Sequence, residues 1–190
     1  LMRSWLKGCM PPLMVSGLLA LMILMQPDLG TAAVIASVTL MLLFVAGSKI
    51  RYLAISILIG AALLVFLIAS EDYRRRRLLA FLDPWNDPEG MGFQIVQSYL
   101  AMGHGGLIGQ GVGRSAQTLF YLPGAHTDFI FAVIAEELGL IGSTALIGLF
   151  CLFIGCGIRL AQTVEDKFGK YLISGCLGLL TIESIVHIAV

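Results

Sequence analysis

Asp128 stands directly ahead of a long apolar run and two residues after His126. A carboxylate in that position can serve as a general base that takes a proton from a hydroxyl nucleophile. It can equally be a helix N-cap, which contributes about 1 kcal/mol by accepting backbone N–H groups. His126 either tunes that carboxylate or makes a local hydrogen bond. Arg74, Arg75, Arg76 and Arg77 follow an apolar run without interruption. Their guanidinium groups suit either phosphate bound through charge-assisted hydrogen bonds or plain anchoring among lipid headgroups. Arg114 lies in a glycine-rich turn closer in sequence to Asp128 and is the better single candidate for a phosphate contact. The glycines of 103–113 let backbone approach a ligand or simply connect, and they form neither a dinucleotide-binding nor a Walker pattern.

Other ionisable groups occupy apolar surroundings. Glu136 and Glu137 enter an apolar run, where charge is costly, so at least one is expected to be buried against Arg or Lys. Asp28, beside Pro27, reads chiefly as the cap of the following helix. Glu183 and His187 are spaced to share one helical face and a proton or hydrogen bond. No metal-ligand spacing accompanies them. Cys9, Cys151, Cys156 and Cys176 include no Cys-x-x-Cys pair and lie in or beside apolar runs, as small hydrophobes do.

The elements that must position these groups follow from composition. Hydrophobic residues make up 58% of the 190 and charged residues 13%, against roughly a quarter charged in soluble domains. A lipid environment and an all-α, polytopic helical bundle are implied, because the runs lack the strict alternation of barrel strands. Spans are expected at about 11–25, 29–46, 53–69, 138–158 and 171–190, within one integral-membrane domain over 1–190. The zero formal net charge gives no reason to expect nucleic acid as a partner. Arg3 and Lys7, Lys49 and Arg51, and Arg159, Lys167 and Lys170 fall in short connections on one side, which the positive-inside rule makes cytoplasmic. The segment 70–128 is then extracytoplasmic, and its Gly, Pro and aromatic content suits a loop with short helices lying against the bilayer. A start at Leu1 and a stop inside an apolar run lead us to expect an internal fragment.

Phe81-Leu82-Asp83-Pro84-Trp85-Asn86-Asp87-Pro88, Gly92-Phe93-Gln94, Gln97-Ser98 and the glycines at 105, 106, 109, 111 and 113 share order and spacing with one known outer loop. Tyr121-Leu122-Pro123-Gly124-Ala125-His126-Thr127-Asp128-Phe129-Ile130-Phe131 and Glu136-Glu137-Leu138-Gly139 follow, and Gln26-Pro27-Asp28-Leu29-Gly30-Thr31 precedes. Together these resemble the SEDS family (FtsW, RodA, SpoVE). Gly111-Val112-Gly113-Arg114-Ser115-Ala116-Gln117 and Trp85 look more like the division-type and sporulation-type branches than the elongation type. The similarity covers roughly the second half of an architecture of about ten spans.

The resemblance implies a peptidoglycan glycosyltransferase that polymerises lipid II at the bacterial inner membrane during division. A sugar hydroxyl would attack an anomeric carbon, and an undecaprenyl pyrophosphate would leave. Asp128 matches the family's essential Asp and would be the base. Arg114, with Arg74, Arg75, Arg76 and Arg77, would meet the pyrophosphate, and His126 and Gln97 would touch substrate. A divalent cation, Mg or Mn, is the other way to stabilise the leaving charge. Membrane lipids, a class B penicillin-binding transpeptidase (FtsI-like) and other division membrane proteins are the implied partners. Gly124 replaces the family's usual Glu, Thr118 a common Lys, and Glu183 and His187 a Gln and an Asn. A lipid II flippase and a non-catalytic division scaffold are the rival readings.

Overall fold

The computed structural model describes residues 5–26, 28–113 and 129–189, with the backbone alone for Leu6 and Lys7. After a π-helical turn at Trp5–Cys9, the helices are α1 (Met10–Leu24), α2 (Leu29–Val45), α3 (Ile50–Ala69), α4 (Asp72–Leu82), α5 (Phe93–Gly105), α6 (Ile130–Thr163) and α7 (Lys167–Ala189). A short 3-10 turn at Pro84–Asn86 separates α4 from α5, and no strand occurs among the described residues. Of these, α3, α6 and α7 are long and apolar enough to cross a membrane, while α1 and α2 are shorter apolar helices. Only 6% of the most apolar stretch of α3 is buried within the protein. Leu58, Val65 and Phe66 are among the side chains left outside. In water such a surface would be a large aggregation-prone patch, whereas lipid chains cover it at no cost. The chain is a polytopic α-helical membrane protein.

Residues 1–63 and 152–185 form one compact unit, and residues 64–151 and 186–190 form another. In the first unit, helix ends are closed by local chemistry. The Asp28 Oδ1 accepts the Thr31 N–H at 3.0 Å and its Oδ2 accepts the Thr31 hydroxyl at 2.6 Å, capping α2. At the other end of α2, Gly47 takes φ 79°. That turn lets the Ser48 N–H reach the Leu43 carbonyl at 3.1 Å and the Gly47 N–H reach the Phe44 carbonyl at 3.0 Å, the paired bonds of a Schellman stop. The Asp166 Oδ2 accepts the Gly169 N–H at 2.8 Å at the start of α7. Cys9, Leu43 and Leu53 form a small core with Trp5, Leu13, Leu40 and Tyr52 around it. The Cys9 thiol donates to the buried Ser48 hydroxyl at 3.4 Å.

The Trp5 and Tyr52 rings meet edge to face at 5.2 Å, with the Lys49 ammonium 5.8 Å and the Arg51 guanidinium 5.2 Å from the Tyr52 ring. Gly178 and Gly175 of α7 bring that helix onto Met41 and Leu42 of α2. Lys170 consequently lines one cleft with Val45, at the same end of the unit as Lys49.

The cap at Asp28 sets a stability test. Asp28→Ala in the full-length protein should cost about 1 kcal/mol and Asp28→Ser much less, measured by denaturant unfolding in detergent micelles.

Candidate functional site

A straight helix of 34 residues would be about 51 Å long, well beyond a hydrocarbon core of about 30 Å. α6 does not run straight, because Gly139 adopts φ 66° and ψ −166° and breaks it. The break removes the hydrogen bonds that Leu140 and Ile141 would have made to Glu136 and Glu137, and leaves two carbonyls and two N–H groups to satisfy. The glycine-rich stretch supplies all the missing partners. The Glu136 and Glu137 carbonyls accept from the Gln110 and Gly111 N–H groups, each at 3.0 Å. The Leu140 and Ile141 N–H groups donate to the Gly106 and Leu107 carbonyls at 2.9 and 3.2 Å. The loop is thus spliced into the helix, and it is not a plain connector.

Such backbone-to-backbone contact explains the glycines that matter. A Cβ on Gly109 would collide with the Glu137 carbonyl, one on Gly105 with the Ala135 carbonyl, and one on Gly139 with the Gly109 nitrogen. Gly109 also takes φ 83° and Gly111 φ 102°, in the left-handed region that other residues avoid. Before the loop, α5 presents Ser98, Ala101 and Gly105, all buried, on one face. Ala101 packs against Ala132 and Phe129 at the start of α6. Small residues on both helices permit this close approach.

The splice also places the acidic pair. Glu136 is fully buried. Glu137 is half-buried, and its Oε1 accepts the Gly113 N–H at 3.0 Å. Gly113 is the last described residue before the segment 114–128, and Phe129, 4% exposed, is the first after it. Both flanks of that segment are therefore fixed to the first half of α6. Asp128, Arg114 and His126, like Gly124 and Thr118, lie outside the described residues.

The four arginines are spread around α4. Consecutive helical residues point about 100° apart, and α4 accordingly disperses them. The Arg74 Nη1 donates to the Leu67 carbonyl at 3.2 Å, closing the end of α3, and the Arg75 guanidinium lies 3.8 Å from the exposed Asp72 carboxylate. Arg76 is exposed. Arg77 lines a cleft of about 330 Å³ with Tyr73, Glu89, Met91, Phe93 and Gln94. Tyr73 and Glu89 carry no motif signal, although the i,i+4 spacing of Tyr73 and Arg77 already places them on one face. Gln97 is half-buried on α5, and Glu183 and His187 are exposed one turn apart on α7. Among the described residues, no group of three or more His, Cys, Asp or Glu side chains is close enough to hold a metal ion.

Alanine at the splice should be far more damaging than alanine nearby. Gly109→Ala and Gly139→Ala each combine a left-handed backbone penalty with loss of the loop-to-helix hydrogen bonds and should cost about 3 kcal/mol or more. Gly103→Ala, whose Cβ would meet nothing within 4 Å, should be neutral or slightly stabilising. Thermal unfolding of the three variants in detergent measures the contrast.

Comparison with known proteins places this arrangement. The family model for cell cycle proteins of the FtsW, RodA and SpoVE type matches residues 1–190. A probable peptidoglycan glycosyltransferase FtsW of Geobacter sulfurreducens is 45% identical over 183 residues, which cover 96% of this chain and 49% of the relative. Stage V sporulation protein E of Bacillus subtilis is 42% identical over 187 residues, 98% of this chain and 51% of the relative. The chain therefore spans about half the length of the curated relatives it matches. A solved structure described as "Structural coordination of polymerization and crosslinking by a peptidoglycan synthase complex" superposes with a TM-score of 0.75 at 27% identity, covering 100% of this chain and 52% of that one. With a family model matched from end to end and the broken helix and glycine loop formed by its own residues, the chain belongs to the FtsW/RodA/SpoVE family of cell cycle proteins.

Proposed function

We propose that this chain is the part of a peptidoglycan glycosyltransferase that polymerises lipid II, and that the segment 114–128 carries the reacting groups. The observation that carries the reading is the fixing of both flanks of that segment to α6, through Gly113 on Glu137 and through buried Phe129. Phe129 itself is packed against Ala101 and Ala132, and a reaction that depends on positioned groups favours segments whose flanks are anchored to a scaffold. The names of the curated relatives supply the reaction class.

In this reading Asp128 accepts the proton of the attacking sugar hydroxyl, whose oxygen bonds to the anomeric carbon as the bond from that carbon to the pyrophosphate breaks. Arg114 meets the charge that develops on the departing pyrophosphate. The membrane is the bacterial inner membrane, with Lys49, Arg51 and Lys170 on the cytoplasmic side and 70–128 outside. The shared end of these cations and the Trp5–Tyr52 pair support that orientation, since aromatic residues gather at membrane interfaces and cations on the cytoplasmic side. The partner is a class B penicillin-binding transpeptidase, in keeping with the synthase complex named for the structural relative. A transport reading finds less support. Broken helices of transporters offer their freed backbone groups to substrate and ions, whereas the loop takes those at Gly139.

Full-length protein with its transpeptidase partner should convert purified lipid II to glycan chains. Asp128→Ala at matched folding should lower that rate at least about 100-fold, as read by gel analysis of labelled glycan. Equal product from both proteins would reduce Asp128 to a helix cap.

A further inference from the structure

The cleft between α4 and the turn that leads into α5 is built, and nothing in the reaction above uses it. One wall presents Tyr73 and Arg77, a helical turn apart, and the other presents Glu89 and Gln94. The second wall is held rigidly. The Asp87 carbonyl accepts the Gly92 N–H at 3.0 Å and the Gly90 N–H at 3.3 Å, while its Oδ2 accepts the Met91 N–H at 3.1 Å. The Asn86 Nδ2 donates to the Asp83 Oδ2 at 2.8 Å, and a Cβ on Gly92 would strike the Pro84 carbonyl. Glu89 is therefore displayed from a turn whose backbone groups are already engaged.

Among the described residues the one ion pair joins Arg75 to Asp72. Arg77 and Glu89 line the same cleft without pairing with each other. A cleft with one guanidinium and one carboxylate carries no net charge and gives a pyrophosphate little reason to prefer it. A neutral sugar would leave both charges unmatched. We infer that this cleft binds a short peptide bearing both a carboxylate and an amino group, with the carboxylate on Arg77 and the amino group on Glu89. Met91, Phe93 and the Tyr73 ring cover its apolar atoms. The inference rests on the reading above for its source of peptide, the peptide of the lipid-linked disaccharide-peptide, and gives that peptide a place apart from the reacting sugar.

The test is calorimetric titration of detergent-solubilised full-length protein with a soluble disaccharide-peptide, and with the same disaccharide lacking its peptide. Wild type should bind the first and not the second. Arg77→Gln and Glu89→Gln should each weaken binding about tenfold, the loss of one charge-assisted hydrogen bond. No binding by wild type, equal binding of both ligands, or unchanged affinity in both variants would each overturn the inference. Polymerisation of lipid II by the same wild-type preparation is scored separately. An active enzyme with an indifferent cleft refutes this proposal alone, whereas an inactive one that binds peptide refutes only the reaction.

Discussion

Breaking a helix among apolar surroundings exposes backbone groups that lipid cannot satisfy, at a cost of several kcal/mol each. The break at Gly139 of α6 creates that debt, and the loop from Gly106 to Gly111 discharges it with hydrogen bonds in both directions. Much else follows from this constraint. The loop must lie backbone on backbone, so glycine is required at Gly109 and Gly139, and at Gly105 where α5 comes down onto Ala135. Small residues must line the face of α5 that delivers it. Glu136 and Glu137, whose carbonyls are those left by the break, come to sit beside the loop, and the Glu137 side chain then holds Gly113.

The same constraint links architecture to chemistry. On the proposed function, the segment 114–128 carries the reacting groups, and such a segment needs anchored flanks. The first half of α6 provides both ends. Phe129 is packed with Ala101 and Ala132, and Gly113 is held by the Glu137 carboxylate further along the same half of α6. In α1, α3 and α7 many apolar side chains remain outward, and local devices, the Asp28 cap and the Gly47 stop, define where α2 begins and ends.

The apolar helices were legible in the sequence because lipid dictates run length: the runs at 11–25, 29–46 and 53–69 correspond closely to α1, α2 and α3. Asp28 ahead of Leu29 signalled a cap through residue type and place alone. The family followed from motifs quoted residue by residue. The splice was not legible, since pairing between distant backbones leaves no side-chain pattern beyond glycine itself. The separate surroundings of Arg74, Arg75, Arg76 and Arg77 were not legible, because adjacency in sequence becomes divergence on a helix. Glu89 was silent because a single acidic residue in a polar turn looks like any solvated one, and only the fold sets it opposite Arg77.

Hydrogen–deuterium exchange on the full-length protein in lipid nanodiscs tests the central claim, that loop and broken helix form one unit. The amides of Gln110, Gly111, Leu140 and Ile141 should be protected together, and Gly139→Ala should release all of them while leaving α2 and α3 unchanged. Rapid exchange of Gln110 and Gly111 beside slow exchange of Leu140 and Ile141 in the wild type would contradict the splice and the account built on it.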